Sequence, residues 1–249
     1  MYKTVEGLVL KRTRFSDSHA YVRILTVEGI ITFLAHGIMS PKNKSSISCQ
    51  PYTYSEFVLK VSGESYSLSS ATTLRHMIKQ GVDFERLSLS NYVLSMANDT
   101  AFDVTDAPEI LALTCTTLQV IDSTDTPSDI IKAVFELRLM AGLGFLPDLD
   151  GCIRCGKSSG EGFFLLEEGG FICLDCHFDE TRRGVRVDGE LIGALKKLFE
   201  MPVKNAFGIR FSDPVKKNAF VTLAERFSLE HLDCALDALN FYKENIKNF

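Results

Sequence analysis

Four cysteines stand in two pairs, and each pair has the two-residue gap that is typical of a metal site. The first pair is Cys152 and Cys155, and the second is Cys173 and Cys176. A gap of two residues lets both thiolates of a pair turn toward one ion, and four thiolates complete a tetrahedral zinc shell. Because such a shell leaves no position for a reacting water molecule, the sequence predicts one structural Zn²⁺ ion and no chemistry at the metal.

Three alternatives use the same cysteines. Two disulfides need an oxidising compartment, and the N-terminal residues do not form a secretory signal. A redox-active pair usually opens a helix in a strand–helix–strand unit, which the flanking sequence does not predict. An iron–sulfur cluster also accepts four cysteines, so the spacing leaves that alternative open. His177 follows Cys176 directly and offers a substitute ligand, but we interpret it as a neighbour.

The segment Gly151–Ser158 matches the phosphate-binding pattern G-x-x-x-x-G-K-[ST] letter for letter. That loop works between a buried strand and a helix, because backbone N–H groups and the helix N-terminus must face the phosphates. Neither flank predicts such an element, and Cys152 and Cys155 are already assigned to the metal. The five histidines are scattered and no nucleophile elbow is present, so we predict that the chain is not an enzyme.

The first eighty residues are rich in β-branched and aromatic residues, with turn signals between five short runs. The predicted strands are Thr4–Thr13, Ala20–Thr26, Ile30–Ala35, Tyr54–Val61 and Tyr66–Thr73. Five strands with one long polar loop, over residues 37–50, favour a small OB-type barrel, although an SH3-like barrel gives much the same pattern. We interpret Phe33, Tyr54 and Phe57 as core residues of this barrel.

From about residue 82 the apolar residues take a helical period. Helices are predicted to begin near Phe84, Asp106, Thr126, Asp188 and Ser228. The inward positions of the first are Phe84, Leu87, Asn91, Leu94 and Ala97, and those of the last are Leu232, Leu236, Leu239 and Tyr242. Between the cysteine pairs, Phe163–Leu166 and Phe171–Ile172 predict a hairpin that returns the second pair to the first.

The predicted fold class is therefore α+β. A five-stranded OB-fold barrel over residues 1–80 precedes an all-helical domain over residues 81–249, with the zinc knuckle inserted at about residues 148–180. No run of residues is long and apolar enough for a membrane span, so we expect a cytoplasmic protein.

Charge is divided unevenly along the chain. Residues 1–80 carry ten basic and five acidic side chains, whereas the remainder carries seventeen basic and twenty-seven acidic ones. A basic module on an acidic body is expected when one part of a protein meets a polyanion. OB-type barrels hold single strands with cations for the phosphates and aromatic faces for the bases. The candidate DNA contacts are Lys11, Arg12, Arg14, Tyr21, Arg23, Lys42 and Lys44.

Several segments together resemble one known family. They are Phe135–Met140 and Gly144–Asp150 before the first cysteine pair, Gly169–Cys173 at the second, and Gly7–Leu10, Tyr21–Thr26, Ala35–Gly37 and Gln50–Tyr52 in the barrel. This set is similar to the RecO family of bacterial recombination-mediator proteins. The resemblance covers about residues 1–180, and the C-terminal helices fit in length and type only.

The resemblance implies a DNA-repair protein of the RecF pathway, associated with the nucleoid. Such proteins bind single- and double-stranded DNA and anneal complementary strands without ATP. With the partner RecR they help load recombinase onto strands coated by single-strand-binding protein (SSB), whose acidic C-terminal tail they recognise. By position, the resemblance assigns the DNA contacts to Arg12, Arg14, Arg23, Lys42 and Lys44.

The sequence departs from the family pattern at two places. Met39 and Ser40 stand where a pair of arginines is usual, and His19 stands where an acidic residue is usual. Some family members lack the cysteines, which implies that the zinc supports the fold. The alternative from another functional class is a zinc-containing adaptor that binds proteins and not DNA.

Overall fold

The computed structural model describes residues 1–79, 81–101, 105–158, 160–176, 184–232 and 234–246. The chain divides into two compact units, Met1–Thr124 with Ala235–Phe249, and Asp125–Cys234. The strands are β1 (Tyr2–Arg14), β2 (Ala20–Thr26), β3 (Gly29–Ala35), β4 (Thr53–Ser62), β5 (Ser65–His76), β6 (Gly162–Leu165), β7 (Gly170–Cys173) and β8 (Gly184–Val187). The helices are α1 (Phe84–Thr100), α2 (Ala107–Ser123), α3 (Ser128–Gly142), α4 (Gly189–Glu200), α5 (Val203–Ala206), α6 (Pro214–His231) and α7 (Leu236–Ile246).

Strands β1 to β5 form a closed barrel in the order β1-β2-β3-β5-β4. Every pairing is antiparallel except that of β3 with β5, where Leu34 lies opposite Ser67 in parallel. A closed five-stranded barrel of this kind is the OB-fold, so the fold predicted for the N-terminal residues is confirmed.

Alternation along the strands separates the barrel core from its outer surface. Phe33 and Phe57 are buried, with ring centroids 5.3 Å apart, as predicted. The prediction for Tyr54 is wrong. It occupies an outward position of β4 between buried Thr53 and Ser55, and its hydroxyl donates to the Glu6 carboxylate at 3.2 Å.

Helix α1 is capped at its N-terminus by Asp83, whose side chain accepts a hydrogen bond from the backbone N–H of Arg86 at 2.8 Å. Its predicted inward face is partly wrong, because Phe84, Leu87 and Asn91 are exposed. The buried residues instead cover more than one face of the helix: Ser88, Leu89, Ser90, Tyr92, Val93, Leu94, Met96, Ala97 and Thr100. The helix contacts α2, α7 and β1, and these several neighbours explain the wider buried surface.

The C-terminal part of the chain differs most from the prediction. A single helix from Ser228 was predicted, but α6 ends at His231 and α7 begins only at Leu236. Ala235 has a left-handed backbone with φ of 52°, which a continuous helix does not permit. Leu239 and Tyr242 are buried as predicted, whereas Leu236 is exposed and Leu232 is partly exposed.

Helix α3 is buried nearly all round and packs against α6 within the second unit. Its burial includes an ion cluster, in which the Lys132 ammonium lies 2.8 Å from a carboxylate oxygen of Glu136 and 2.8 Å from one of Glu225. Burial alone would lower the pKa of Lys132, but the two carboxylates raise it. The Lys132 ammonium therefore keeps its charge inside the unit.

Removal of the buried ammonium is expected to be costly. Lys132→Met should lower the free energy of unfolding by about 3–5 kcal/mol, because Glu136 would stay buried without its counter-charge. Urea denaturation of the variant measures this loss. Adding Glu136→Gln to Lys132→Met should recover part of it, and a loss below about 1 kcal/mol in the single variant would contradict the charged cluster.

No helix in the described ranges is both long and apolar enough to cross a lipid bilayer.

Candidate functional site

A small sheet in the second unit positions the two cysteine pairs. Strands β6 and β7 form the predicted hairpin, in which Gly162 lies opposite Cys173, so the second pair returns to the first. The backbone N–H of Ile153, inside the first pair, donates to the Phe171 carbonyl on β7 at 2.9 Å. Strand β8 adds a third strand on the other edge of β6, which the sequence did not predict.

The sulfur atoms of the four cysteines all lie within 4.8 Å of one another. Cys152 and Cys173 are buried, Cys176 is half-buried and Cys155 is exposed. Thiolate donors in one cluster suit a soft or borderline metal ion, so this donor set fits the predicted metal. His177, the alternative ligand, lies outside the described residues.

The acidity of the thiols shows that the cluster favours negative charge at one position and opposes it at another. Burial raises the pKa of Cys152, but hydrogen bonds from the backbone N–H groups of Cys173, Arg154 and Cys155 outweigh it and lower the pKa to about 6. Hydrogen bonding with the neighbouring sulfurs of Cys155 and Cys173 raises the pKa of Cys176 to about 12. Ionised thiolates this close together repel one another, and a bound cation would relieve that repulsion.

The phosphate-loop pattern at Gly151–Ser158 has a different structure from a phosphate site. The backbone closes on itself, with the Cys152 N–H bonded to the Lys157 carbonyl at 3.0 Å and the Gly156 N–H bonded to the Cys152 carbonyl at 2.8 Å. The Lys157 ammonium lies 2.8 Å from the Asp175 carboxylate, inside the second cysteine pair. Among the described residues, neither a strand nor a helix directly flanks this segment, as the sequence predicted.

The second candidate site is one end of the barrel, where two loops are hydrogen-bonded to each other. The backbone N–H of Gly37 donates to the Nδ1 atom of His19 at 3.0 Å, and that of Met39 donates to the Ser18 carbonyl at 3.2 Å. The His19 and His36 rings lie 4.9 Å apart. The β1–β2 turn, which includes residues 15–19, thus lies beside the β3–β4 loop over residues 36–52.

The candidate DNA contacts occupy different environments. Lys11, Lys42 and Lys44 are exposed, and the latter two extend from the β3–β4 loop. Arg14 is also exposed, but it forms an ion pair with Asp17 in the adjoining turn. Lys42 and Lys44 thus lie in one of the two loops and Arg14 at the start of the other, whereas Lys11 lies within β1 opposite Arg23.

The other two arginines have structural contacts. Arg12 lies opposite Val22, whose side chain is buried, and its Nη1 atom is buried as well. Burial raises the pKa of the Cys49 thiol to about 12, and the charge of Arg12 opposes that rise, so the guanidinium lies near the barrel core. Arg23 is half-buried and donates to the Asn98 carbonyl of α1 at 3.3 Å.

One aromatic residue at this end was not among the predicted DNA contacts. Phe15 follows Arg14 in the turn and is 59% exposed, and its ring lies 5.2 Å from that of Tyr21. Tyr21 is exposed on the outer surface of β2, as expected from buried Val22 and Ile24. A signal was available, because Phe15 stands in a polar turn directly beside basic residues.

Two family models match the chain. The model described as "Recombination protein O N terminal" covers residues 1–77, and that described as "Recombination protein O C terminal" covers residues 81–238. The chain belongs to the RecO family. The resemblance noted in the barrel and around the cysteines is thereby confirmed over most of the sequence.

Curated relatives agree with this assignment. The chain is 26% identical over 245 residues to "DNA repair protein RecO" of Acetivibrio thermocellus, covering 97% of this chain and 96% of the relative. It is 25% identical over 246 residues to the protein of the same name from Lactobacillus acidophilus, covering 97% and 96%. A third such protein, from Alkaliphilus metalliredigens, is 28% identical over 174 residues, covering 69% and 71%.

The first unit of this RecO chain also contains a cavity of about 480 Å³ beside the barrel. Tyr54, Arg75, Cys115 and Gln119 supply its polar lining. Burial raises the pKa of the Cys115 thiol to about 12, and the charge of Arg75 only partly opposes this. A thiol that stays protonated at neutral pH is a poor nucleophile, so we interpret Cys115 as a packing residue.

The hairpin that assembles the cysteines depends on the absence of a side chain at Gly162. A Cβ atom there would lie 2.0 Å from the Ile172 carbonyl oxygen and 2.6 Å from the Phe171 ring. Gly162→Ala should therefore separate the two cysteine pairs and abolish stoichiometric metal binding, measured by titration with Co²⁺ and its thiolate absorption.

The matched control is Gly193→Ala in α4 of the same unit, where an added Cβ meets no atom within 4 Å. That variant should bind metal normally, and it should be slightly more stable because alanine favours a helix interior. Normal metal binding by Gly162→Ala would show that the hairpin does not hold the cysteines together.

Proposed function

We propose that this RecO chain is a non-catalytic recombination mediator in DNA repair. It binds single- and double-stranded DNA, anneals complementary strands without ATP and helps load recombinase onto SSB-coated strands together with RecR. Family membership supports the role in DNA repair and recombination. The observation that carries the DNA-binding part is the group of exposed lysines at the loop end of an OB-fold barrel. The proposed place of action is the cytoplasm, at the nucleoid.

The mechanism of annealing is electrostatic. Lys42 and Lys44 extend from a loop that hydrogen bonds hold against the β1–β2 turn, so their charges stay at one end of the barrel. Phosphates bound there release condensed counterions, which supplies much of the binding free energy. Neutralised phosphates repel a second strand less, and complementary strands can then approach and pair. The two DNA strands form the base pairs themselves, and the protein contributes charge neutralisation and proximity.

The four-cysteine cluster is proposed to hold one Zn²⁺ ion with a structural role. The ion would be bound by Cys152, Cys155, Cys173 and Cys176, and it would balance the charge of thiolates that otherwise repel one another. The cluster joins the segment that follows α3 to the end of β7. When bound, the metal cross-links these two segments and supports a surface for partners, without taking part in a reaction.

The protein-adaptor alternative is favoured by one group of observations. Arg12 and Arg23 have buried or structural contacts, and Met39, at the place of a usual arginine, packs against the barrel core. DNA binding would then rest on fewer cations than in a typical relative. RecR and the acidic SSB tail are protein partners under both hypotheses, so only a DNA measurement separates the two.

The metal itself is directly measurable. Protein purified without chelator should contain about one zinc ion per chain and no iron, measured by plasma emission spectroscopy. Cys173→Ser should reduce zinc retention during dialysis, because a hydroxyl is a poor zinc ligand. Cys49→Ser, in the barrel core, is the control and should retain the metal. Iron in place of zinc would support the iron–sulfur alternative.

The salt dependence of binding tests the proposed DNA surface. Affinity for a fluorescent single strand should fall linearly on a log–log plot against salt concentration, with a slope of about −0.7 for each phosphate contact. Lys44→Ala should make the slope less steep by about one contact. Lys60→Ala, an exposed position opposite Tyr2 on the barrel, should leave it unchanged. Equal effects of the two substitutions would place DNA elsewhere, and no binding at low salt would favour the adaptor.

A further inference from the structure

Phe15 is a large apolar side chain held in an exposed position. Its backbone N–H donates to the His19 carbonyl at 2.9 Å, which closes the turn between β1 and β2. The ring is 59% exposed, so it contributes little to the barrel core. A single exposed phenylalanine is common on protein surfaces, and exposure alone indicates no function. The residues around Phe15 therefore decide whether its exposure indicates a function.

The nearest of these neighbours is a second exposed ring. Tyr21 is 42% exposed and meets Phe15 edge to face, with an angle of 68° between the rings. Tyr21 lies opposite Thr13 in the sheet, on the outer row of β1 and β2. An edge-to-face pair uses the edge of one ring and one face of the other, and the exposed fractions of Phe15 and Tyr21 show that much of their surface stays accessible to solvent.

Cations lie next to the turn that carries Phe15 and in the loop that is hydrogen-bonded to that turn. Arg14 directly precedes Phe15, and the β3–β4 loop with Lys42 and Lys44 is hydrogen-bonded to the same turn through Met39 and Ser18. Exposed rings beside exposed cations form the arrangement in which proteins hold single strands, with bases stacked on rings and phosphates near the charges.

We propose that Phe15 and Tyr21 form a stacking platform for the unpaired bases of single-stranded DNA, with Phe15 as the main contact. This inference rests on the DNA binding proposed above and adds a specificity to it. Bases in a duplex already stack on their neighbours and cannot offer a free face to a protein ring. Cations attract single strands and duplex alike, whereas the platform favours unpaired bases. The loop end of the barrel thereby prefers strands that are ready to anneal.

Affinity measurements on one conservative variant test the platform. Phe15→Leu keeps an apolar side chain but removes the ring, and it should bind a single-stranded oligonucleotide at least about fivefold more weakly. Its affinity for a duplex of the same length should change less than twofold. The control is Tyr2→Leu at the opposite end of β1, where Tyr2 is 65% exposed, and both affinities should be unchanged. Equal loss for single strand and duplex would overturn the proposal, as would no loss for either.

The absence of tryptophan from the chain permits a direct spectroscopic test. The indole of a Phe15→Trp variant should lose fluorescence when single-stranded DNA binds, because a base stacks on it, and should change little with duplex. The indole of a Tyr2→Trp variant should respond to neither. Binding seen by anisotropy without quenching at position 15 would overturn the platform and leave the proposed function intact. Absence of binding by the unmodified chain at low salt would overturn both.

Discussion

Strand β1 pairs with β4 through its first half and with β2 through its second half, and Leu8 takes part in both pairings. Every strand of the closed barrel has two neighbours, and β1 pairs with its two neighbours along successive parts of its length. Where the pairings overlap, the chain must approach β2 closely, and a Cβ at Gly7 would lie 2.8 Å from the Leu25 carbonyl oxygen. A register shift between Val9 and Lys11 lets the strand bend from one neighbour to the other.

This closure determines what lies at the loop end of the barrel. Because β1 ends at Arg14 and returns through a short turn into β2, that turn comes beside the loop that follows β3. Hydrogen bonds from Gly37 and Met39 then join the two loops. Cations from distant parts of the sequence thus share one surface with the Phe15 and Tyr21 rings. Charge and aromatic character at this end follow from barrel topology and not from any single motif.

Many of the strands, the helix caps and the cysteine cluster were predictable, because their sequence signals are local. Strand patterns, helix caps such as Asp188 and the paired cysteines depend on spacings within a few residues, and the structure agrees with them. The orientation of Arg12 was not predictable, because the bulge in β1 changes which residues face inward, and Leu8, Val9 and Leu10 are buried in succession. The hydrogen bond from Arg23 to the Asn98 carbonyl was likewise not predictable, because it joins residues that are far apart in the sequence.

Helix α6 was missed although a signal existed. Phe220, Leu223 and Phe227 have helical spacing and are buried, but many polar residues lie between them, and the helix was predicted only from Ser228 onward. The sequence also contains N-terminal signals for this helix, Asp213 as a capping residue and Pro214 in the first turn. In the structure the Asp213 carboxylate accepts a hydrogen bond from the Val215 N–H at 2.8 Å. In the cysteine-bearing sheet, the hairpin of β6 and β7 was predicted from the sequence. The third strand, β8, was not predicted, because it is short and separated from the hairpin in the sequence.

We propose that this chain brings complementary strands together by charge and proximity, without nucleotide hydrolysis. The most direct measurement follows the pairing of two complementary fluorescent oligonucleotides, with and without ATP, over a range of salt concentrations. We predict that the protein accelerates pairing equally with and without ATP, and that the acceleration decreases as the salt concentration rises. A requirement for ATP, or pairing no faster than that of the free strands at low salt, would contradict it.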